Sequence, residues 1–154
     1  LRTKSNLSGK QLDKIVEGTN LQGMGETFKI AEQEYGVNSL FLISLAIHES
    51  DYGRSRIARD KNNLFGYAAY DRSPYESAVT FKNFDESAVT FKNFDESVYR
   101  VARHLSKEYL SRNGKYHNGY TLKDVNVKYA SDKEWSSKVK RLMEQGQMKI
   151  LEKN

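Results

Sequence analysis

The chain of 154 residues contains no cysteine. Disulfide bonds, thiol catalysis and cysteine-ligated metal sites are therefore excluded. His48-Glu49 is not followed by a second histidine four positions on, so the helical zinc-protease motif is missing. The segment QGMGETF lacks the spacing and the lysine of a phosphate-binding loop. We expect neither a metal ion nor an organic cofactor.

Long apolar runs are also missing. The longest, residues 40–47, is interrupted by Ser44 and falls short of the ~18 residues of a membrane-spanning helix. A hydrophobic share of 38% and an aromatic share of 12% suit one folded globule. We expect a single monomeric domain over residues 1–154, without membrane insertion. Because the chain begins at Leu1, we expect a mature product or an excised domain.

The charge is mildly one-sided, with a net value of +5 at pH 7. This sign favours a polyanionic partner, such as nucleic acid, an anionic membrane or a teichoic-acid-bearing wall, although a solvated basic face explains it equally. Nucleic-acid binding is disfavoured because the aromatic residues cluster and lysine-rich runs are missing.

Helix-capping signals recur along the chain. The segment SLFLISLAIHES is apolar nearly all round, which indicates a helix through the core. Gly36 ends the preceding amphipathic stretch, residues 25–35. The predicted helix starts are Ser8-x-x-Gln11, Asn38, Thr121-x-x-Asp124 and Ser131-x-x-Glu134.

The middle of the chain has a different pattern. LFGYAAYDRSPYESAVTF, residues 64–81, holds two aromatic, β-favouring runs on either side of a turn with Pro74, the only proline. This predicts a hairpin. The fold class we expect is α+β, mainly helical, with a small β-hairpin lobe.

A perfect duplication interrupts this region, because ESAVTFKNFD occupies residues 76–85 and again residues 86–95. Natural repeat arrays need about three or more units, so two identical copies indicate a recent or engineered duplication or a construction error. We expect the second copy to hold the native place, since Asn93 can cap the next helix with Glu96 at its third position. The first copy would then be irregular.

Glu49 is the strongest candidate for chemistry. It lies at the C-terminal end of the apolar helix, just before the break at residues 51–53. Partial burial and the negative end of the helix dipole both raise a carboxyl pKa, as a general acid near neutral pH requires. The alternative is a solvated glutamate at a frayed helix end.

A longer string surrounds this glutamate. AIHESDYGRSRIARDKNNLFGYAAYD, residues 46–71, has a Glu-Ser pair, a glycine three residues on, Ser-x-Ile-Ala and Asn-Asn-x-Phe-Gly. It resembles the N-acetylglucosaminidases of glycoside hydrolase family 73, bacterial and phage enzymes that cut peptidoglycan. VNVKYASDKEWSSKV, residues 125–139, continues the resemblance, which covers most of residues 28–143.

The resemblance implies a lysozyme-like fold and hydrolysis of the bond after N-acetylglucosamine. It implies that Glu49 is the acid and that Tyr129 matches an active-site tyrosine. It also implies that Asn63, Phe65 and Gly66 line the floor of the sugar cleft. Core aromatics are the alternative for Phe65 and Tyr129. Hairpin residues Tyr67, Tyr70 and Asp71 complete the expected substrate-binding set, since tyrosine rings offer flat faces for sugars.

The second catalytic group is left open. An inverting enzyme needs a base roughly 6.5–9.5 Å from the acid, and a retaining one a nucleophile at about 5 Å. Asp71, Glu76 and its copy Glu86 are the candidates, with Glu76 favoured and a surface role as its alternative. The third possibility is attack by the substrate's own N-acetyl group.

The expected partner is thus the glycan strand of peptidoglycan, met by a secreted or cell-wall protein or by a phage lysin. Two other functions are kept open. One is a muramidase or lytic transglycosylase on the same fold, and the other is a non-catalytic domain that binds the wall.

Overall fold

The computed structural model describes residues 1–67 and 88–152, which are mainly helical, as predicted. Most of the predicted hairpin over residues 64–81 lies outside the described residues, and its first four residues, 64–67, form a turn and irregular backbone. No helix within the described ranges is long and apolar enough to cross a membrane. The helices are α1 (Gly9–Ile15), α2 (Gly25–Tyr35), α3 (Ser39–Ser50), α4 (Arg56–Lys61), α5 (Phe94–His104), a π-helical turn (Leu105–Tyr109), α6 (Leu122–Tyr129) and α7 (Trp135–Leu151).

Helix α3 forms the centre of the core. Its side chains Phe41, Leu42, Ile43 and Leu45 are fully buried, so the prediction from its apolar composition is confirmed. Helix α7 packs along α3, α1 packs against both α2 and α7, and α2 packs against α5. The end of α3 therefore lies where α7 passes, and this brings Glu49 close to residues from the C-terminal part of the chain.

Local capping chemistry sets most helix starts. The capping boxes at Ser8 and Thr121 are both formed. The Asn38 side chain accepts a hydrogen bond from the backbone N–H of Phe41, which starts α3 as predicted. The predicted start at Ser131 is wrong, because α7 begins at Trp135. Asp132 Oδ1 instead accepts the Glu134 N–H at 2.9 Å and holds the preceding turn.

The described part of the second copy, residues 88–95, hydrogen-bonds to the end of α4 and leads into α5. Its backbone N–H groups at Val89 and Phe91 donate to the carbonyls of Tyr67 and Lys61, both at 2.8 Å. Asn93 Oδ1 accepts the N–H of Glu96 at 2.8 Å, which confirms the predicted cap of α5. The first copy lies outside the described residues, so its predicted irregularity stays a prediction.

Arg2 joins the first residues to distant parts of the chain. Its guanidinium donates to the carbonyls of Tyr35 at 2.9 Å and Gly36 at 3.1 Å. It also donates to Ser106 Oγ at 2.8 Å, to Ser106 O at 2.9 Å and to Ser111 Oγ at 3.1 Å. A single side chain thus fastens the N-terminal segment to the end of α2 and to the π-helical turn.

A buried carboxylate, that of Glu32, also holds the N-terminal segment in place. Glu32 is 1% exposed, and its Oε1 accepts the N–H groups of Ser5 at 2.8 Å and Ser39 at 2.9 Å. Lys29 Nζ lies 3.0 Å from Oε2. Burial raises the pKa of Glu32, but the hydrogen bonds from Ser39, Ser5 and Lys29 outweigh it, so the pKa is lowered overall. The charged form is therefore the one that the fold stabilises.

Glu32→Gln is expected to destabilise the domain by about 1–3 kcal/mol at pH 7, because the charge-assisted hydrogen bonds are weakened. A lowered pKa adds stability that is present above the ordinary value of 4.5 and is lost as pH falls through the folded value. Urea unfolding at pH 7 and pH 3 should show the two proteins converging in acid. Glu34→Gln, an exposed change on the same helix, is the matched control. Equal losses in both variants would contradict the assignment.

Candidate active site

Glu49 lies half-buried in the last turn of α3. Burial raises its pKa from the ordinary value of 4.5 to about 7, and a hydrogen bond from Trp135 opposes this rise. The bond runs from the indole Nε1 to Glu49 Oε1 over 3.3 Å. Near neutral pH the carboxyl is therefore divided between its protonated and ionised forms, which is the condition for a general acid.

Ser50 and a strained turn hold the end of α3. Ser50 Oγ donates to the Ala46 carbonyl at 2.5 Å and accepts the Gly53 N–H at 2.9 Å. Asp51, Tyr52 and Gly53 follow with φ values of 51°, 58° and 81°. Left-handed φ at the two non-glycine residues is costly and persists only where the surroundings enforce it. The serine of the Glu-Ser pair thus stabilises the turn that leaves Glu49 at the helix end.

Five rings form a row that begins beside Glu49, each ring packing against the next, and we call them the aromatic row. The rings follow the order Trp135, Tyr129, Tyr109, His104 and Tyr67. The centroids of neighbouring rings in this order are 5.1, 5.5, 5.7 and 5.4 Å apart. The π-helical turn after α5 brings Tyr109 into the row, and such turns are frequent at functional sites. The row links Glu49 to the loop of the Asn-Asn-x-Phe-Gly motif.

Tyr129 is 6% exposed within this row. Its pKa is raised well above the usual range, first by burial, then by the nearby Glu49 carboxylate and by Tyr109. The phenol therefore stays protonated and can act only as a neutral hydrogen-bonding group. The structure thus places Tyr129 near Glu49, and the active-site role of Tyr129 stays a prediction.

Asn126 organises the loop between Tyr129 and Trp135, whose rings pack against each other. Its Nδ2 donates to the carbonyls of Asp132 at 3.0 Å and Ala130 at 3.4 Å. Its Oδ1 accepts the backbone N–H of Ser136 at 3.0 Å. The side chain thus connects the end of α6 to the first turn of α7, so that Tyr129 and Trp135 lie on the same side of the loop.

A second buried asparagine shapes the opposite end of the row. Asn63 is 1% exposed and donates from Nδ2 to the carbonyls of Tyr67 at 2.8 Å and Val89 at 3.0 Å. Its Oδ1 accepts the N–H groups of Phe65 at 3.2 Å and Tyr67 at 2.9 Å. Phe65 is 4% exposed in the core, and Gly66 has φ of 62°. These motif residues support the loop that presents Tyr67.

Tyr67 is half-buried at the end of the row. The Arg100 guanidinium lies 5.5 Å from its ring centroid, and Phe91 lies at 6.3 Å. The other predicted site residues, Tyr70, Asp71, Glu76 and its copy Glu86, lie outside the described residues. The separation between Glu49 and a second carboxylate therefore stays a prediction.

Sequence reasoning missed several members of the site. The sequence motifs assign no role to Trp135, Tyr109, His104 or Arg100. The one signal that the sequence offers for Trp135 is that it is the only tryptophan in the chain. No cluster of three acidic, histidine or cysteine side chains suited to a metal ion occurs in the part of the chain that the structure describes.

The chain belongs to the glucosaminidase family. The family model described as mannosyl-glycoprotein endo-beta-N-acetylglucosaminidase matches residues 25–148, which include Glu49, the Asn-Asn-x-Phe-Gly loop and the Tyr129 segment. The resemblance found in the sequence motifs is thereby confirmed.

Individual relatives agree with this family. A Streptococcus pneumoniae (serotype 4) protein named "Putative endo-beta-N-acetylglucosaminidase" is 37% identical over 158 aligned positions, covering 99% of this chain and 22% of that protein. The "Bifunctional autolysin" of Staphylococcus aureus is 29% identical over 92 positions, covering 49% of this chain and 7% of that one. The chain thus spans less than a quarter of the length of these curated relatives.

The fold is also similar to a solved structure. Autolysin E of Staphylococcus aureus, in complex with the muropeptide NAM-L-Ala-D-iGlu, gives a TM-score of 0.69 at 26% identity, covering 96% of this chain and 70% of that one. A catalytic mutant of the same autolysin, with glutamate replaced by alanine, is in complex with the disaccharide NAG-NAM and gives a TM-score of 0.68 at 25% identity.

Proposed function

We propose that this domain hydrolyses the β-1,4 glycosidic bond after N-acetylglucosamine in peptidoglycan, with Glu49 as general acid. One observation carries the proposal: Glu49, with its pKa raised to about 7, adjoins a row of aromatic rings in a chain of the glucosaminidase family. The relatives named as an autolysin and solved with muropeptide or NAG-NAM support peptidoglycan as the substrate.

The geometry supports a simple course for the first step. Protonated Glu49 gives its proton to the glycosidic oxygen as the bond to the anomeric carbon breaks. The Trp135 N–H then stabilises the carboxylate that remains, since hydrogen bonds to charged acceptors are stronger than those to neutral ones. Tyr129, held neutral beside Glu49, is available to hydrogen-bond the sugar.

We assign the other motif residues to two groups. Tyr67, together with Tyr70 and Asp71, is proposed to contact the sugar rings. Asn63, Phe65 and Gly66 are proposed to act through the loop that they support, because Asn63 and Phe65 are buried.

The second catalytic group is proposed to be Glu76, or Glu86 if the second copy of the duplication takes its place. Attack by the N-acetyl group of the substrate is the alternative that needs no second carboxylate. We also propose a lysozyme-like arrangement with a small β-hairpin lobe over residues 64–81. We further propose that the domain acts at the cell wall, which the autolysin relatives support, and that it is a monomer.

A digest of purified peptidoglycan tests this function. Released fragments are reduced with borohydride and identified by mass spectrometry. Reduced N-acetylglucosamine at the fragment ends is the expected result, and Glu49→Gln should abolish its release. Muramic or anhydromuramic ends would assign the domain to the muramidases or lytic transglycosylases.

The duplication provides a control for an inactive digest. Deleting residues 76–85 or residues 86–95 yields one and the same sequence, because the copies are identical. Activity that appears only after the deletion would identify an enzyme disabled by the extra copy. Continued inactivity together with retained glycan binding would identify a wall-binding module.

A further inference from the structure

The indole of Trp135 is held rigidly against the acid. Trp135 is the first residue of α7 and is 1% exposed. Its ring meets Phe41 edge-on at 6.3 Å and Tyr129 at 5.1 Å. The Nε1–Oε1 distance of 3.3 Å joins it to Glu49 across a separation of 86 residues. Because Phe41 and Tyr129 pack against the ring, the orientation of the indole is set, and its N–H points to Oε1 of Glu49.

An indole N–H can donate a hydrogen bond but cannot accept one. Glu49 Oε1 must therefore be an acceptor in both protonation states of the carboxyl. We propose that Trp135 is a positioning residue that keeps the acid proton of Glu49 on Oε2, and so determines which oxygen delivers it. This proposal rests on the proposed function, in which Glu49 is the acid.

Two consequences separate this role from simple packing. Without the N–H, the proton can occupy either oxygen, so a part of the protonated molecules presents the wrong one. The carboxylate also loses its donor, so ionisation becomes less favourable and the pKa of Glu49 rises. A residue that merely filled space would produce neither effect when replaced by an isosteric ring.

The titratable groups around Glu49 are few among the described residues. Tyr129 faces it from α6, with Tyr109 of the π-helical turn behind. His48 precedes it on α3, and its pKa is lowered by burial and by Lys138, while Asp132 opposes this. His48 has an ordinary pKa of 6.5, close to that of Glu49, so the two titrations must be told apart.

The first test needs no enzymatic activity. Because the chain has a single tryptophan, indole fluorescence reports on the surroundings of Trp135, which include the Glu49 carboxyl. We expect the emission of the folded domain to change with pH around a midpoint near 7, the value for Glu49. Glu49→Gln, whose amide oxygen still accepts from the indole, should abolish the transition, and His48→Gln should leave it. An unchanged transition in Glu49→Gln, or none in the wild type, would overturn the proposal.

The second test removes only the N–H. Growth on a tryptophan analogue with sulfur in place of the ring nitrogen alters Trp135 alone, and 5-fluorotryptophan, which keeps the N–H, is the control. With the sulfur analogue, carbon NMR of the Glu49 carboxyl should show its pKa rising by about one pH unit. Peptidoglycan cleavage should have about tenfold lower kcat, with its alkaline limb moved to higher pH.

These readouts separate two failures. Equal Glu49 pKa values with the two analogues would refute the positioning role, whatever the activity. A normal pKa response with muramic ends in the digest would refute the proposed bond specificity and leave the positioning role standing.

Discussion

Replacing Glu49 by glutamine is expected to remove peptidoglycan cleavage and to make the domain more stable in alkaline solution. Loss of a positioned general acid lowers the rate by about 10²–10⁴-fold. The gain in stability has a separate cause. Burial makes the ionised carboxyl costly, and glutamine avoids that cost while keeping an oxygen that accepts from Trp135.

The sign of the pH dependence follows from the raised pKa. Between pH 4.5 and about 7 the unfolded chain has released the Glu49 proton while the folded chain still holds it. Stability of the wild type therefore falls as pH rises through this window and stays low above it. The full difference is about 3 kcal/mol at 1.36 kcal/mol per pH unit.

Urea unfolding at pH 4 and pH 8.5 measures this difference. Glu49→Gln should match the wild type in acid and exceed it by about 2–3 kcal/mol in alkali. Glu34→Gln, an exposed change on α2, should give no such divergence. A variant that is inactive yet gains nothing at pH 8.5 would show that Glu49 is ionised at little cost in the folded protein.

Asn63→Leu is expected to destabilise the domain by about 2–5 kcal/mol. Leucine fills a similar volume but removes the partner of the N–H groups of residues 65 and 67 and of the carbonyl of residue 89, while the Tyr67 carbonyl keeps the Val89 N–H. Thermal and urea unfolding measure the loss. Asn113→Leu, an exposed change, should stay within about 0.5 kcal/mol of the wild type. An Asn63 variant that kept its stability and only raised KM would instead make Asn63 a direct sugar contact.

Helix starts could be predicted from the sequence because a cap is a local event. Asn38, Asn93 and Thr121 each bond a backbone N–H three residues further on, so the signal and the structure lie within a single turn. The prediction at Ser131 failed for an equally local reason, because Asp132 next to it accepts the Glu134 N–H and forms a turn, and α7 begins only at Trp135.

The contacts that complete the site are long-range, and no local sequence pattern indicates which residues they join. The Trp135–Glu49 bond depends on how α7 crosses α3, which no pattern within either helix determines. For Asn63, the sequence motif identifies the residue but does not indicate how it acts. Only its hydrogen bonds to the residue 67 and 89 backbone show that it works from within the core.

The Arg2 contacts have a consequence for the order in which the chain acquires its structure. Arg2 is synthesised before its acceptors at Ser106 and Ser111, which lie 104 and 109 positions later. At synthesis rates of about 5–20 residues per second, these partners follow after roughly 5–20 s. Helix α7, which covers α1 and α3, comes later still. The Arg2 contacts and the packing of α7 thus form late in the synthesis of the domain, and its folding depends on contacts between residues distant in sequence.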